Sequence, residues 1–224
     1  SGQKANDLKD KRNLLIDQLS DLVAIDVSVN NKGHMKISLS GENSYALLEH
    51  ITANKMTLVK DTLNPITGEE NSLYSVRLES YDEKINFSGG SLKAYFDLRD
   101  GNENTNIGLP YFNSQLNRFV NAMANEFNAG HENNWTMQDT SSGLESRTGV
   151  SFFTDVNGST DSLNSLNIRI NPIIIHNSYN IALSSSEILN DYDKNNNAGA
   201  IELINLFNKA DIPDIGGYYT FIES

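Results

Sequence analysis

Four side chains near the C-terminus carry oxygen atoms at the spacing of a calcium-binding loop. They occupy positions 1, 3, 5 and 12 of such a loop, where oxygen ligands converge on Ca²⁺: Asp191, Asp193, Asn195 and Glu202. Position 6 is Asn196 where the sharp turn favours glycine, and Gly199 offers no side-chain oxygen, although a water can serve there. The alternative is that Asn196 or Asn197 caps the following helix, while the aspartates solvate the loop and favour the helix N-terminus. Calcium binding is therefore a secondary hypothesis.

The residue patterns of common catalytic sites are missing from the sequence. None of its four histidines has a second histidine three or four residues away: His34, His50, His131 and His176. There is no second histidine after His131-Glu132 for a zinc protease site, no Gly-x-Ser-x-Gly elbow and no phosphate-binding glycine loop. The histidines are interpreted as residues of turns or of the surface, or as interior residues whose hydrogen bonds are satisfied. We therefore expect no enzyme, no catalytic residue and no cofactor. A third hypothesis is an enzyme that uses a pair of carboxylates. A ligand in a pocket that contains carboxylates with shifted pKa values would distinguish it.

Composition excludes several classes of protein. The chain has 224 residues, 17 Lys and Arg against 29 Asp and Glu, a net charge of −12 and no cysteine. An acidic surface repels phosphate backbones and anionic lipids, so we expect no nucleic-acid binding. No apolar run in the sequence approaches the roughly 20 residues needed to span a bilayer, so we expect no membrane insertion. The absence of cysteine excludes zinc ribbons, iron–sulfur clusters, thiol catalysis and disulfide scaffolds. The sequence thus predicts an acidic globular protein.

Apolar residues at helical spacing predict three helical regions. The first covers residues 5–23 and carries a stripe of leucines on one face: Leu8, Leu15, Leu19 and Leu22. Two helices are predicted within residues 91–129, and the longer one begins at Pro110 and stops at Gly130. The last helix is predicted over residues 198–209.

Alternating apolar and polar residues predict strands between these helical regions. A hairpin of residues 25–29 and 35–39 surrounds a turn rich in Asn and Gly. Further strands are predicted at residues 56–60, 73–80, 84–87, 150–154 and 166–170. The fold class is therefore α+β, with amphipathic helices packed with an antiparallel hairpin and meander region. We expect five segments to close one compact discontinuous unit: a helix in 1–24, a β-rich part in 25–88, a helical part in 89–135, a loop-rich and β segment in 136–170, and a helical part in 171–224.

Five segments carry motifs in a fixed order. They are Asn6–Leu15, Gly90–Asp100, Leu116–His131, the pair Phe152-Phe153, and Ile181–Leu206. In this order and spacing they resemble the flagellar hook-associated protein 1 family, whose members lie between hook and filament, although Ala94 and Tyr95 stand where the family more often has Gly and Leu. The residues that match the family motifs, and to which the resemblance assigns a structural role, are Asn6, Asp10, Arg12, Arg99, Asp100, Glu126, Phe127 and Asn128.

The resemblance implies a structural subunit of the bacterial flagellum that joins hook to filament by subunit packing, without catalysis. Its expected partners are copies of itself, the hook protein, the second junction protein and an export chaperone. It also implies export to the extracellular flagellum without a cleaved signal peptide. Family members carry terminal helical heptads that assemble an axial tube, and we expect this sequence, which lacks them, to be a central fragment.

A second hypothesis is an extracellular module that binds Ca²⁺ at residues 191–202 or adheres to a surface. It predicts that calcium raises the melting temperature and that Asp191→Ala removes this effect.

Overall fold

The computed structural model describes residues 2–41, 43–61, 73–101, 106–190, 193–213, 215–216 and 221. Contacts within the chain divide it into two compact units, Ser1–Leu109 and Pro110–Ser224. Helices and antiparallel sheets make up the regular structure, which confirms the predicted α+β class. The closure of five segments into one discontinuous unit stays a prediction. Within the described ranges, no helix is long and apolar enough to cross a bilayer.

The first unit begins with a long helix, α1 (Gly2–Leu22), which confirms the first predicted helix. The helix ends where Val23 enters the core with only 1% of its surface exposed. Leu19 packs against the same core. Three other members of the leucine stripe are at least half exposed: Leu8, Leu15 and Leu22. Most of the predicted stripe is therefore uncovered.

A four-stranded antiparallel sheet follows α1. The predicted hairpin forms as β1 (Ile25–Val29) and β2 (Met35–Leu39), with Gly33 in its turn at a φ of +78° that favours glycine. Two further strands, β3 (Ala46–Glu49) and β4 (Thr52–Ala53), extend the sheet in the order β1-β2-β3-β4. The sequence did not predict them because segments this short show no clear alternation.

A second antiparallel sheet contains three strands in sequence order. Its strands are β5 (Met56–Lys60), β6 (Tyr74–Leu78) and β7 (Tyr81–Lys84). The first two confirm the predicted strands, but the third lies earlier than predicted. Its position was wrong because Ile85 and Phe87, which suggested a strand, lie beyond the end of β7 and are buried in the core.

One apolar core holds the first unit together. Its buried members are Val23, Leu39, Leu47, Val76, Leu78, Ile85 and Phe87. Helix α2 (Gly90–Asp100) covers this core with Leu92 and Phe96. The chain enters α2 through Gly90 at a φ of +86°, and a Cβ there would lie 2.4 Å from the carbonyl oxygen of Leu22. Glycine is therefore required where α2 begins beside the end of α1.

Helix α3 (Leu109–Asn133) carries the largest part of the predicted helical pattern in the second unit. Pro110 lies in its first turn as predicted, where the missing N–H costs nothing. The predicted stop at Gly130 was wrong, because the helix continues to Asn133. A Cβ at Gly130 would lie 2.9 Å from Cδ2 of Leu203. This glycine therefore allows close packing of another segment and does not end the helix.

Short elements complete the second unit. They are β8 (Trp135–Thr136), β9 (Phe153–Thr154), β10 (Arg169–Ile170), α4 (Pro172–His176), β11 (Ala182–Ser184) and α5 (Ala198–Leu206). Strand β9 pairs with β10, and β8 pairs with β11. The strands predicted at residues 150–154 and 166–170 were too long, since each forms only over its last two residues. The predicted last helix ends at Leu206, three residues earlier than expected.

Candidate structural site on the third helix

The family-motif residues lie on three helices. Asn6, Asp10 and Arg12 are exposed on α1, where Arg12 donates to Oδ1 of Asn13 at 2.9 and 3.3 Å. Among the described residues, no further hydrogen bond of these three side chains is found. Their predicted structural role stays a prediction.

Arg99 ties the end of α2 to strand β6. Its Nε and Nη2 each donate to one carboxylate oxygen of Asp100 at 2.6 Å, and its Nη1 donates to the carbonyl oxygen of Tyr74 at 2.8 Å. The guanidinium also lies 4.5 Å from the ring centroid of Phe96. The hydrogen bonds to Asp100 raise the pKa of Arg99. This planar, forked arrangement is one that a lysine could not reproduce.

Asn128 fixes the segment before β9 to the buried face of α3. Its side chain is 5% exposed. The Oδ1 accepts from the backbone amides of Phe152 at 2.9 Å and Phe153 at 2.7 Å. The Nδ2 donates to the carbonyl oxygen of Phe153 at 2.8 Å. The side-chain amide therefore pairs with the backbone of Phe152 and Phe153 as a neighbouring strand would, and it satisfies these half-buried backbone groups.

His131, one turn further along α3, bridges two other segments. Its side chain is fully buried, with Nδ1 at 2.6 Å from the carbonyl oxygen of Val150. The Nε2 accepts a hydrogen bond of 2.8 Å from the amide of Ala182. Because Nε2 accepts, the ring proton is assigned to Nδ1, which donates to Val150. Burial lowers the pKa of His131 and favours this neutral form.

Phe127 is the centre of a group of rings beside these hydrogen bonds. Its centroid lies 4.9 Å from that of Phe152, 5.3 Å from that of Phe153 and 6.5 Å from that of His131. Phe153 packs edge-to-face on Phe127, Phe152 is tilted against it and His131 is stacked on it. Aromatic pairs contribute about 0.5–1.5 kcal/mol each beyond the area they bury. The phenylalanine pair singled out in the sequence is therefore the partner of Phe127.

Glu126 joins α3 to the segment after α5. One of its carboxylate oxygens accepts from Nζ of Lys209 at 2.6 Å, and this hydrogen bond raises the pKa of Lys209. Glu126, Phe127, Asn128 and His131 thus contact three different stretches of the second unit from one and a half turns of α3: residues 150–153, Ala182 and Lys209. Together they are the α3 organising cluster.

Several buried asparagines were not predicted as important residues. Asn134 donates to the carbonyl oxygen of Gly130 at 2.8 Å, and Asn171 donates to that of Ser151 at 2.8 Å. Asn180 donates to the carbonyl oxygens of Ile173 and Asn177, at 3.1 Å each. Their only sequence signal is the abundance of asparagine near segment boundaries, which does not separate buried from exposed residues.

The calcium hypothesis rests on residues that are only partly described. Asp191 lies outside the described residues, and Asn195 lies in a short 3₁₀ turn. The carboxylate of Asp193 accepts from the amides of Leu189 at 3.1 Å and Asn190 at 3.2 Å. Glu202 is exposed on α5. Calcium binding there stays a prediction.

The N-cap residue of α5 is Asn197, and its side chain makes no capping hydrogen bond. Oδ1 of Asn196, one residue earlier, accepts from the amide of Ala198 at 3.1 Å. In the ranges that the structure covers, no group of three or more His, Asp or Glu side chains is arranged to hold a metal ion.

Comparison with protein families gives a match that covers most of the chain. The family model for the helical domain of the flagellar hook-associated protein FlgK matches residues 1–153, out of 224. No curated protein matches the chain. The matched region contains the first unit, Arg99 with Asp100, and the α3 organising cluster. The chain therefore belongs to the family of the flagellar hook-associated protein FlgK and is a structural protein of the extracellular bacterial flagellum.

Proposed function

We propose that this protein is a subunit of the junction between hook and filament, and that it acts by subunit packing without catalysis. Its partners in this role are copies of itself, the hook protein and the second junction protein. An export chaperone keeps it competent for secretion through the flagellar channel, without a cleaved signal peptide. The net charge of −12 supports solubility of the subunit before assembly.

One observation carries this proposal: α1 presents an uncovered row of leucines. Leu8 is 68% exposed, Leu15 is 55% exposed and Leu22 is 50% exposed. Most helical stability in proteins comes from packing of an apolar face, since an isolated helix in water is marginal. Full burial of a leucine contributes about 1.5–3 kcal/mol. A neighbouring subunit that covers this α1 leucine face would therefore stabilise the helix and hold the assembly together.

The alternative of a calcium-binding or adhesive surface module is less favoured. The family is structural, and a packing role accounts for the exposed leucines of α1, which a calcium loop at residues 191–202 does not. The α3 organising cluster also supports a rigid building block, because its polar groups are used in internal hydrogen bonds.

Deletion of the gene that encodes this chain tests the proposal. Electron microscopy of the cells and an immunoblot of the culture medium for flagellin are the measurements. The junction role predicts bare hooks with flagellin lost to the medium, because filament subunits have no adaptor on which to polymerise. Normal filaments on the deleted strain would refute it.

A further inference from the structure

We infer that His34 and His50 form a binding site for a divalent transition-metal ion at one end of the four-stranded sheet. His34 immediately precedes β2, and His50 immediately follows β3, which pairs with β2. The two ring centroids are 3.8 Å apart, with an angle of 70° between the ring planes. Two of the four histidines in the chain thus meet at one place, although 16 residues separate them.

The backbone at both histidines is held by hydrogen bonds. The amide of His34 donates to Oδ1 of Asn30 at 3.0 Å, and its carbonyl oxygen accepts from the amide of Asn30 at 2.9 Å. The amide of His50 donates to the carbonyl oxygen of Met35 at 2.9 Å. His50 adopts a φ of +57°, which is uncommon for a residue with a side chain. Such conformations persist where the surrounding structure holds them, and they cluster at functional sites.

The two rings are free to take a metal ion. Within the described part of the chain, neither imidazole makes a hydrogen bond, in contrast to the fully used ring of His131. His34 is half-buried and His50 is exposed, so both rings can turn. Two imidazoles that share one tetrahedral ion lie about 5 Å apart between centroids, given metal–nitrogen distances of about 2.0–2.1 Å. The rings therefore need to separate by about 1 Å.

The surroundings define the class of ion. The histidines line a cavity of about 220 Å³, which leaves room for an ion with several water ligands. Glu49 and Lys36 line the same cavity and offset each other's charge. Imidazole nitrogen selects Zn²⁺, Ni²⁺ and Cu²⁺ over Ca²⁺ and Mg²⁺, which prefer oxygen. The site therefore binds a borderline transition-metal ion through two nitrogens, with water in the remaining positions.

Calorimetric titration of the full chain with ZnCl₂, in buffer with excess CaCl₂ to occupy carboxylates, tests the site. The variants are His34→Gln and His50→Asn, since asparagine tolerates the left-handed backbone at position 50. The matched control is His176→Gln, which removes an exposed histidine from α4. Once one imidazole holds the ion, the second imidazole binds it within the same molecule, which raises the affinity. Loss of either histidine should therefore weaken Zn²⁺ binding at least about tenfold relative to the wild type.

A second readout identifies the ligands directly. On addition of ZnCl₂, the NMR signals of the His34 and His50 rings should shift together with a stoichiometry of one ion, while that of His176 stays in place. Cu²⁺ should give an electron paramagnetic resonance spectrum with two equatorial nitrogens, reduced to one in either site variant. Unchanged Zn²⁺ affinity in His34→Gln or His50→Asn, or absence of Zn²⁺ binding in the wild type, would overturn the inference. Neither result affects the proposed junction role.

Discussion

Asn128 and Phe153 form a reciprocal pair of hydrogen bonds between α3 and β9. Oδ1 of Asn128 accepts from the amide of Phe153 at 2.7 Å, and Nδ2 donates to its carbonyl oxygen at 2.8 Å. The side chain of a helical residue thereby takes the place of a neighbouring strand. This contact explains why an asparagine, which has low helix propensity, occupies a buried position inside the C-terminal part of α3.

Replacement of Asn128 by alanine should destabilise the protein by about 2–4 kcal/mol. The change leaves the half-buried amides of Phe152 and Phe153 without their side-chain acceptor, and the loss of a partner by a buried group costs about 1–3 kcal/mol. Denaturant unfolding measures the effect. The matched control is Asn125→Ala, at an exposed position of the same helix, which should change the free energy of unfolding by less than about 0.5 kcal/mol. Equal effects of the two substitutions would show that the Asn128 amide has no special role.

Stability should decrease as the pH falls below about 6.5, the ordinary pKa of an unfolded histidine. Burial lowers the pKa of folded His131, so below pH 6.5 the unfolded state binds more protons than the folded state. The stabilisation is fully present above pH 6.5 and is lost as the pH falls through the pKa of the folded state. Protonation would also place a hydrogen on Nε2, which faces the amide of Ala182.

The free energy of unfolding, measured from pH 7.5 to 5, tests this dependence. In the wild type the free energy of unfolding should rise with pH across that window, and the rise should be much smaller in His131→Gln. His176→Gln, an exposed histidine variant, should keep the wild-type slope. A wild-type slope that survives in His131→Gln would assign the effect to other groups.

Gly90→Ala should destabilise the first unit much more than Gly33→Ala. Both glycines have positive φ, at +86° and +78°. A Cβ at Gly33 meets nothing within 4 Å, so only the backbone conformation is penalised, by about 1–2 kcal/mol. A Cβ at Gly90 would overlap the backbone of Leu22 and Val23, which adds at least about 2 kcal/mol. Thermal unfolding of both variants measures the difference, and similar melting temperatures would contradict the close approach of α1 and α2.

Local sequence signals predicted the elements that form from neighbouring residues. The β1–β2 hairpin depends on its own alternation and on Gly33 in its turn, so it could be predicted. Strand β3 depends on its pairing with β2, and its four residues carry too little pattern of their own. Gly130 shows the limit of the rule that a glycine ends a helix. Here glycine is required inside the helix because Leu203 packs closely against it.

The sequence singled out three residues of the α3 organising cluster, but it did not show their contacts. The resemblance selected Glu126, Phe127 and Asn128, and the structure gives each a partner that lies far away in sequence. His131 is the clearest example, since its ring nitrogens bond to Val150 and Ala182, 19 and 51 residues further along. No periodicity or spacing in a single sequence reports such pairings, because they depend on how the segments fold back on α3.

Complementation of the deletion strain with Leu15→Glu tests the central claim, assembly through the α1 leucine face. Glutamate has a helix propensity close to that of leucine, and Leu15 is 55% exposed, so α1 and the core should be retained. Gln18→Glu adds the same charge to an exposed position of α1 and is the control.

The amount of flagellin released into the medium is the decisive measurement, normalised to the amount of this protein exported. The account predicts that Leu15→Glu is exported but leaves bare hooks with flagellin in the medium, whereas Gln18→Glu restores filaments. Normal filaments with Leu15→Glu would contradict assembly through this face.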